Sequence, residues 1–226
     1  MRQLSDTAFA QLLGRLRVGQ QTAADMDTLK LRQVHDDRAL DMHANISALN
    51  ADVVDFNSRR LDSLPAPSVT IRAKDKWPAE CKEPSTMDAE KKSGLSTSLT
   101  LKVCARVMLV RNVDCSIGLY NGALGSVTGF MPPSSTTPTA VLVLFDNQRL
   151  QAVARELYPS LNCAFLVERS EARFPICRKN AFVEGSRLQF PLRVAFALTI
   201  HKCQGQTLYS AVVSCCQIMT FNRMYL

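Results

Sequence analysis

The sequence contains no long apolar run and no apolar leader. No segment approaches the ~20 consecutive apolar residues that a bilayer-spanning helix needs. The opening Met1-Arg2-Gln3-Leu4-Ser5-Asp6 lacks the apolar stretch of a secretory signal. The sequence therefore predicts a soluble, intracellular protein with no membrane partner.

The eight cysteines and three histidines lack the spacing of a metal site. The cysteines, at positions 81, 104, 115, 163, 177, 203, 215 and 216, include no C-x-x-C pair of the kind that structural zinc sites use. Several lie in apolar stretches, among them Cys104 and the Cys215-Cys216 pair. We therefore expect reduced, mostly buried thiols and no bound metal.

Positive charge is in excess. The formal net charge is +7 and the pI is about 9.1, in a chain whose 46% hydrophobic content suits a globular core. Such an excess favours a polyanionic partner, above all nucleic acid. A basic domain without such a partner would have the same composition.

The first third of the chain predicts helices. Residues 5–33 predict two, the first capped by Asp6 and the second opened by the capping-box pattern Thr22-Ala23-Ala24-Asp25. Residues 44–64 predict a short strand and a helix, and residues 73–98 a polar loop.

The middle of the chain predicts strands. Apolar residues alternate strictly with other residues at Leu101, Val103, Ala105, Val107 and Leu109. Asn121-Gly122 is a strong hairpin signal, and strands are expected at Val127–Phe130 and Ala140–Phe145. Residues 150–190 predict two or three more, so the region favours a small antiparallel barrel.

The run Val194–Ile200 predicts a buried strand that ends in His201 and Lys202, followed by the turn Gln204-Gly205-Gln206-Thr207. Ligands bind at strand ends of α/β sheets. An imidazole and an ammonium group there can bind phosphate oxygens, although His201 could instead cap the strand end. The chain is thus α/β, with expected segments 1–100, 101–190 (β-rich) and 191–226.

Two stretches resemble one family. PLRVAFALTIHKCQGQTL, residues 191–208, resembles motif V of superfamily-one DNA helicases, most closely the petite-integration-frequency (PIF) type of 5′-to-3′ helicase, which usually has serine where Cys203 stands. VMLVRN at 107–112, with GLYNG at 118–122 and GSV at 125–127, is similar to the stretch that leads that family into a small β-barrel. Weaker likeness extends over nearly the whole chain.

The resemblance implies a RecA-like second motor lobe interrupted by a β-barrel insertion and truncated at both ends. In that family two such lobes close on ATP and Mg²⁺ and move along single-stranded or forked DNA. The implied DNA contacts are Thr199, His201 and Lys202. The implied nucleotide contacts are Arg2, Gln204 and Gly205, although Arg2 could equally be a frayed terminal residue.

Parts of the catalytic machinery are missing. None of the nine glycines is followed by lysine, so no Walker A loop is present. Asp36-Asp37 follows no apolar strand, which makes it a poor Walker B candidate. The segment FNRMYL, residues 221–226, stands where the family carries its arginine finger. We expect no complete catalytic site, a missing first motor lobe as partner, and little or no ATP hydrolysis alone.

Two other hypotheses remain: a non-catalytic module that binds single-stranded nucleic acid, and a degenerate remnant without activity. Aromatic residues make up only 7% of the chain, which argues against strong base stacking. The resemblance implies work in DNA repair, recombination or telomere maintenance, in the nucleus or the mitochondrion.

Overall fold

The computed structural model describes residues 6–33, 44–78, 86–133, 137–178, 181–204, 208, 210–214 and 224–225. The chain divides into two compact units. The first unit joins Met1–Val53 to Ala197–Leu226, and the second is Val54–Phe196. These division points differ from the boundaries at 100 and 190 that the sequence predicts.

In chain order the elements are α1 (Thr7–Arg17), α2 (Ala23–Leu31), β1 (Ala44–Ser47), α3 (Asn50–Ser63), β2 (Val69–Arg72), β3 (Lys74–Lys76), α4 (Thr86–Ser93), β4 (Ser98–Leu101), β5 (Arg106–Leu109), β6 (Leu124–Met131), β7 (Ala140–Phe145), α5 (Gln148–Leu157), a 3-10 turn (Pro159–Leu161), β8 (Phe165–Glu168), β9 (Ser170–Arg178), β10 (Ala181–Gln189), β11 (Leu192–Val194), β12 (Ala197–Thr199), α6 (Ile200–Cys203), β13 (Ala211–Ser214) and β14 (Met224–Tyr225). No helix within these described ranges is both long and apolar enough to cross a membrane.

The two predicted N-terminal helices and their caps are confirmed. The Asp6 carboxylate accepts a hydrogen bond from the Phe9 amide at 2.9 Å and starts α1. Thr22 and Asp25 form the reciprocal capping box of α2. Arg15 donates to Asp25 at 2.8 Å and keeps the pKa of that carboxyl well below its usual value. The pair thus links the last turn of α1 to the first turn of α2.

The first unit carries a four-stranded sheet in the order β12-β1-β13-β14. Strand β1 pairs in parallel with both β12 and β13, and β14 is antiparallel to β13. Ile46, Leu198 and Val213 share one row of this sheet, so apolar side chains define its register. The sheet and its helices give the α/β texture that the sequence predicts.

The second unit is built on a five-stranded antiparallel sheet in the order β11-β5-β6-β7-β8. Its inward residues, joined by Phe190 from the link between β10 and β11, form the largest apolar core, in which Val107, Val143 and Phe190 are fully buried. Helix α5 contributes Leu150 and Ala154 to the same core. Strands β6 and β7 confirm those predicted at 127–130 and 140–145, and a bulge between Val127 and Gly129 interrupts their pairing.

A second, three-stranded sheet, β3-β10-β9, depends on a buried ion pair. The Arg187 side chain is 1% exposed and donates to both Asp75 carboxylate oxygens, at 2.8 and 2.7 Å. Its third nitrogen, Nη1, donates to the Leu95 carbonyl at 3.0 Å. Next to it, Gln189 donates to the Ile71 carbonyl at 3.1 Å. These bonds tie β10 to β3, β2 and the turn that follows α4.

Two local predictions are wrong. The alternating run 101–109 is two strands, because Cys104 takes a left-handed φ of 69° and turns the chain between them. The predicted loop at 73–98 contains β3, α4 and the start of β4, and Trp77 packs edge-on against Phe174. The two or three strands predicted at 150–190 are confirmed as β8, β9 and β10, whereas the helix α5 at the start of that region is not predicted.

Replacing Asp75 by alanine should destabilise the second unit by about 3 kcal/mol, because it leaves the buried Arg187 guanidinium without its counter-ion. Trp77, the chain's single tryptophan, directly follows β3. Urea unfolding followed by Trp77 fluorescence therefore measures the effect where it occurs. Asp55→Ala is the matched control, since its pair with Arg59 is exposed and its loss should cost less than about 0.5 kcal/mol. Equal effects of the two changes would contradict the structural role of the buried pair.

Candidate nucleic-acid interface

The segment expected as one buried strand, Val194–Ile200, is divided between two sheets. Strand β11 ends at Val194 and pairs antiparallel with β5, whereas β12 begins at Ala197 and pairs in parallel with β1. Ile200 opens α6 and is 53% exposed, so the expectation that it is buried is wrong. The sequence shows one continuous apolar run because two short strands follow each other there, each in a different sheet.

Three parallel strands end at one edge of the first unit's sheet. In their last register row, Thr199 of β12 lies beside Ser47 of β1, and Ser47 lies beside Ser214 of β13. Thr199 and Ser47 are buried, and the Ser47 hydroxyl donates to an Asp52 carboxylate oxygen at 3.0 Å. The carboxyl edge of a parallel sheet is where α/β folds bind ligands. A row of hydroxyls therefore lines the expected binding edge.

Ser47 and Ser214 did not emerge from the sequence analysis. Each is one hydroxyl residue at the end of a short apolar strand, and such residues are common there. Only the parallel register, which joins residues far apart in sequence, brings them beside Thr199.

His201 and Lys202 follow Thr199 after one residue, Ile200, and both lie within α6. The His201 side chain is exposed and that of Lys202 is half-buried. Both groups can donate hydrogen bonds to phosphate oxygens, and the ammonium group adds a positive charge. Of the three predicted DNA contacts at the carboxyl end of β12, the Thr199 side chain is buried, whereas those of His201 and Lys202 are exposed and half-buried.

Cys203 adds no negative charge at this edge. Burial raises the pKa of its thiol to about 11, so the group stays protonated at neutral pH. A protonated thiol is as uncharged as the serine hydroxyl that the related motif carries. The positive character of the edge is therefore retained.

Of the predicted nucleotide-binding residues, only Gln204 is described. Its side chain is exposed immediately after α6. Arg2 and Gly205 lie outside the described residues. One exposed amide does not form a triphosphate site, so the described residues do not by themselves fit ATP. Within the described ranges, no group of three or more His, Cys, Asp or Glu residues could hold a metal ion.

The cysteines are less buried than expected. Cys104 and Cys115 are exposed free thiols, and Cys163 and Cys203 are free and half-buried. Cys104 is exposed because it lies at the left-handed turn between β4 and β5. The expectation of mostly buried thiols is wrong for these four, and the side chains of the other four are not described.

Comparison with known proteins places this geometry in a helicase context. The family model "DNA helicase Pif1, 2B domain" matches residues 91–130. The ATP-dependent DNA helicase PIF1 of Homo sapiens is 31% identical over 181 residues, covering 77% of this chain and 23% of that protein. The PIF1 helicase of Danio rerio is 29% identical over 228 residues, covering 100% of this chain and 32% of that protein.

Solved structures agree. The Pif1 helicase from Candida albicans matches with a TM-score of 0.68 and 27% identity over 94% of this chain and 48% of that one. Bacteroides Pif1 bound to ssDNA matches with a TM-score of 0.64 and 27% identity, over 91% and 42%. Another matching Bacteroides Pif1 structure contains ADP-AlF4, and a further match concerns DNA unwinding at forked dsDNA by two coordinating Pif1 helicases.

These likenesses and the mixed α/β sheets define the class of fold as that of an α/β DNA helicase. The resemblance read from motif V is confirmed: the chain belongs to the Pif1 family of DNA helicases. The chain spans 23% to 32% of the lengths of these two curated relatives.

The raised pKa of Cys203 predicts a slow thiol. At pH 7.5 a maleimide should modify Cys203 at least about tenfold more slowly than the exposed Cys115. The raised pKa leaves very little of Cys203 as thiolate, and this loss outweighs the higher nucleophilicity of the thiolate that does form. Peptide mass spectrometry over a time course measures both rates in one sample. Modification of Cys203 as fast as Cys115 would show an accessible, ionisable thiol and contradict the neutral edge.

Proposed function

We propose that this chain is the second motor lobe of an ATP-dependent 5′-to-3′ DNA helicase. The first unit is its RecA-like lobe, and the second unit is the β-barrel insertion. Each unit contacts single-stranded DNA, and a separate first lobe binds ATP and Mg²⁺. Single-stranded and forked DNA are the proposed partners, in repair, recombination or telomere maintenance in the nucleus or mitochondrion.

One observation carries the proposal. The exposed imidazole of His201 and the ammonium group of Lys202 follow a buried hydroxyl row at the carboxyl edge of a parallel sheet. Phosphate oxygens need hydrogen-bond donors and positive charge, and both are present there. The sequence around them matches relatives that act on DNA, one of them solved bound to ssDNA.

We propose that the nucleotide is bound jointly by residues of this chain and by a first motor lobe that lies outside these 226 residues. Gln204 and Gly205 follow Lys202 after one residue, Cys203, so the proposed nucleotide and DNA contacts lie within a few residues of each other along the chain. Arg2 is proposed to approach the terminal phosphate, where an arginine stabilises negative charge during phosphoryl transfer. The phosphate cradle itself must come from a Walker A loop, which these 226 residues do not contain.

Single-stranded DNA binding should depend on His201 and Lys202. The double variant His201→Ala/Lys202→Ala should bind a fluorescein-labelled oligo(dT) at least about tenfold more weakly, because donors to phosphate are lost. The slope of log K against log salt should fall by about one, the value for one phosphate contact. Fluorescence anisotropy at several salt concentrations measures both quantities.

Arg17→Ala is the matched control. It removes one exposed cation from the same unit and changes the net charge by the same amount. If the double variant and Arg17→Ala bind alike, His201 and Lys202 do not contact DNA and only general charge attracts it. Circular dichroism of each variant verifies the fold.

The chain alone should hydrolyse no ATP above background, with or without oligo(dT). A coupled phosphate-release assay measures this, and a Pif1 helicase with its Walker A loop is the positive control. DNA-stimulated turnover by the purified chain would contradict the proposed division of roles. DNA binding without turnover is the expected combination.

A further inference from the structure

Tyr120 is unusual among the aromatic side chains that the structure describes. It is 49% exposed, whereas the other aromatic side chains whose exposure the structure describes are buried or half-buried. Trp77 packs against Phe174, and Phe145 packs against Phe165. An exposed phenol ring in a protein that is proposed to bind DNA is a candidate contact for the DNA bases.

The loop that carries Tyr120 is held in shape by hydrogen bonds. Residues 113–119 form a tight turn that two backbone hydrogen bonds of 2.8 Å close. The Val113 amide donates to the Leu119 carbonyl, and the Leu119 amide donates to the Asp114 carbonyl. Leu119 is buried in the core of the second unit. Gly118 supplies a φ of 102°, which other residues rarely adopt. Tyr120 therefore follows an anchored residue in an ordered turn.

The surroundings of Tyr120 combine apolar surface and positive charge. The Asn112 side-chain oxygen accepts from the Asn121 amide at 2.8 Å, which brings the two arms of the loop together. Arg111 directly precedes Asn112, and Tyr120 directly precedes Asn121. Val113, on the same loop, is 51% exposed. One loop thus carries the Tyr120 ring, the Arg111 guanidinium and the exposed methyl groups of Val113.

We propose that Tyr120 stacks on an unpaired base of single-stranded DNA, with Arg111 binding a neighbouring phosphate. The inference rests on the proposed function, that the chain binds single-stranded DNA. Aromatic rings bind bases of any sequence through their faces, and nearby cations bind the backbone. Because the loop is ordered before binding, little conformational entropy is lost when the ring engages.

Oligonucleotides with and without bases test this directly. The wild-type chain should bind a dT oligonucleotide at least about fivefold more tightly than one of equal length carrying abasic sites, because one stack contributes about five- to 150-fold. Tyr120→Ala should lose that preference and keep the salt slope. Tyr120→Phe should retain the preference, since the ring is preserved. Arg111→Gln should keep the preference and lower the salt slope by about one.

A spectroscopic signal reports stacking independently. In Tyr120→Trp, dT should quench the added tryptophan emission and the abasic oligonucleotide should not, and the wild-type chain supplies the Trp77 background. Leu157→Ala is the control for loss of exposed apolar surface, because Leu157 is 55% exposed on α5 in the same unit. Its preference for dT should equal that of the wild type.

The outcomes separate the two proposals. Wild-type binding that is equal for dT and abasic DNA, or unchanged in Tyr120→Ala, overturns the stacking role and leaves the His201–Lys202 interface intact. A wild-type chain that binds neither oligonucleotide overturns both. A preference for bases that also disappears in Leu157→Ala would show a general surface effect and overturn the specific role of Tyr120.

Discussion

The parallel pairing of β12 with β1 is the constraint on which the candidate interface depends. Strand β12 has only three residues, all buried, and Leu198 lies in the apolar row with Ile46 and Val213. A slip of one residue would turn Leu198 to the other face of the sheet. It would also remove Thr199 from its row with Ser47 and shift His201 by about 3.3 Å along the edge. The apolar row therefore sets where the polar groups stand.

Electrostatics at this edge follows from burial as much as from charged residues. A thiolate at Cys203 would place a negative charge directly after Lys202 and oppose phosphate binding. Burial keeps the thiol protonated, so cysteine in place of the family's usual serine leaves the net charge of the edge unchanged. Between α1 and α2 the surroundings instead favour a charged group. Hydrogen bonds from Arg15 and the Thr22 amide lower the pKa of Asp25 and keep its carboxylate ionised.

Local signals predicted part of this structure and could not predict the rest. The caps at Asp6 and Thr22 were correct, because a cap depends on residues within three positions. The division of 101–109 was missed because apolar alternation continues through the turn at Cys104. The division near residue 196 was missed because hydropathy does not show which sheet a strand joins. The Ser47–Thr199 row follows from register between strands some 150 residues apart, which no local pattern encodes.

The two proposed contacts obey different physics. Phosphate contacts by Lys202 and Arg111 release counterions, so their contribution falls steeply as salt rises. Stacking on Tyr120 has no such dependence, because it involves neither charge nor ion release. A helicase domain that used both kinds of contact would remain partly bound to the DNA bases when high salt weakens its phosphate contacts. It would need few aromatic residues to do so. A low aromatic content therefore excludes an extended stacking platform but not a single ordered ring, since burial and loop order, rather than composition, decide whether a ring is available.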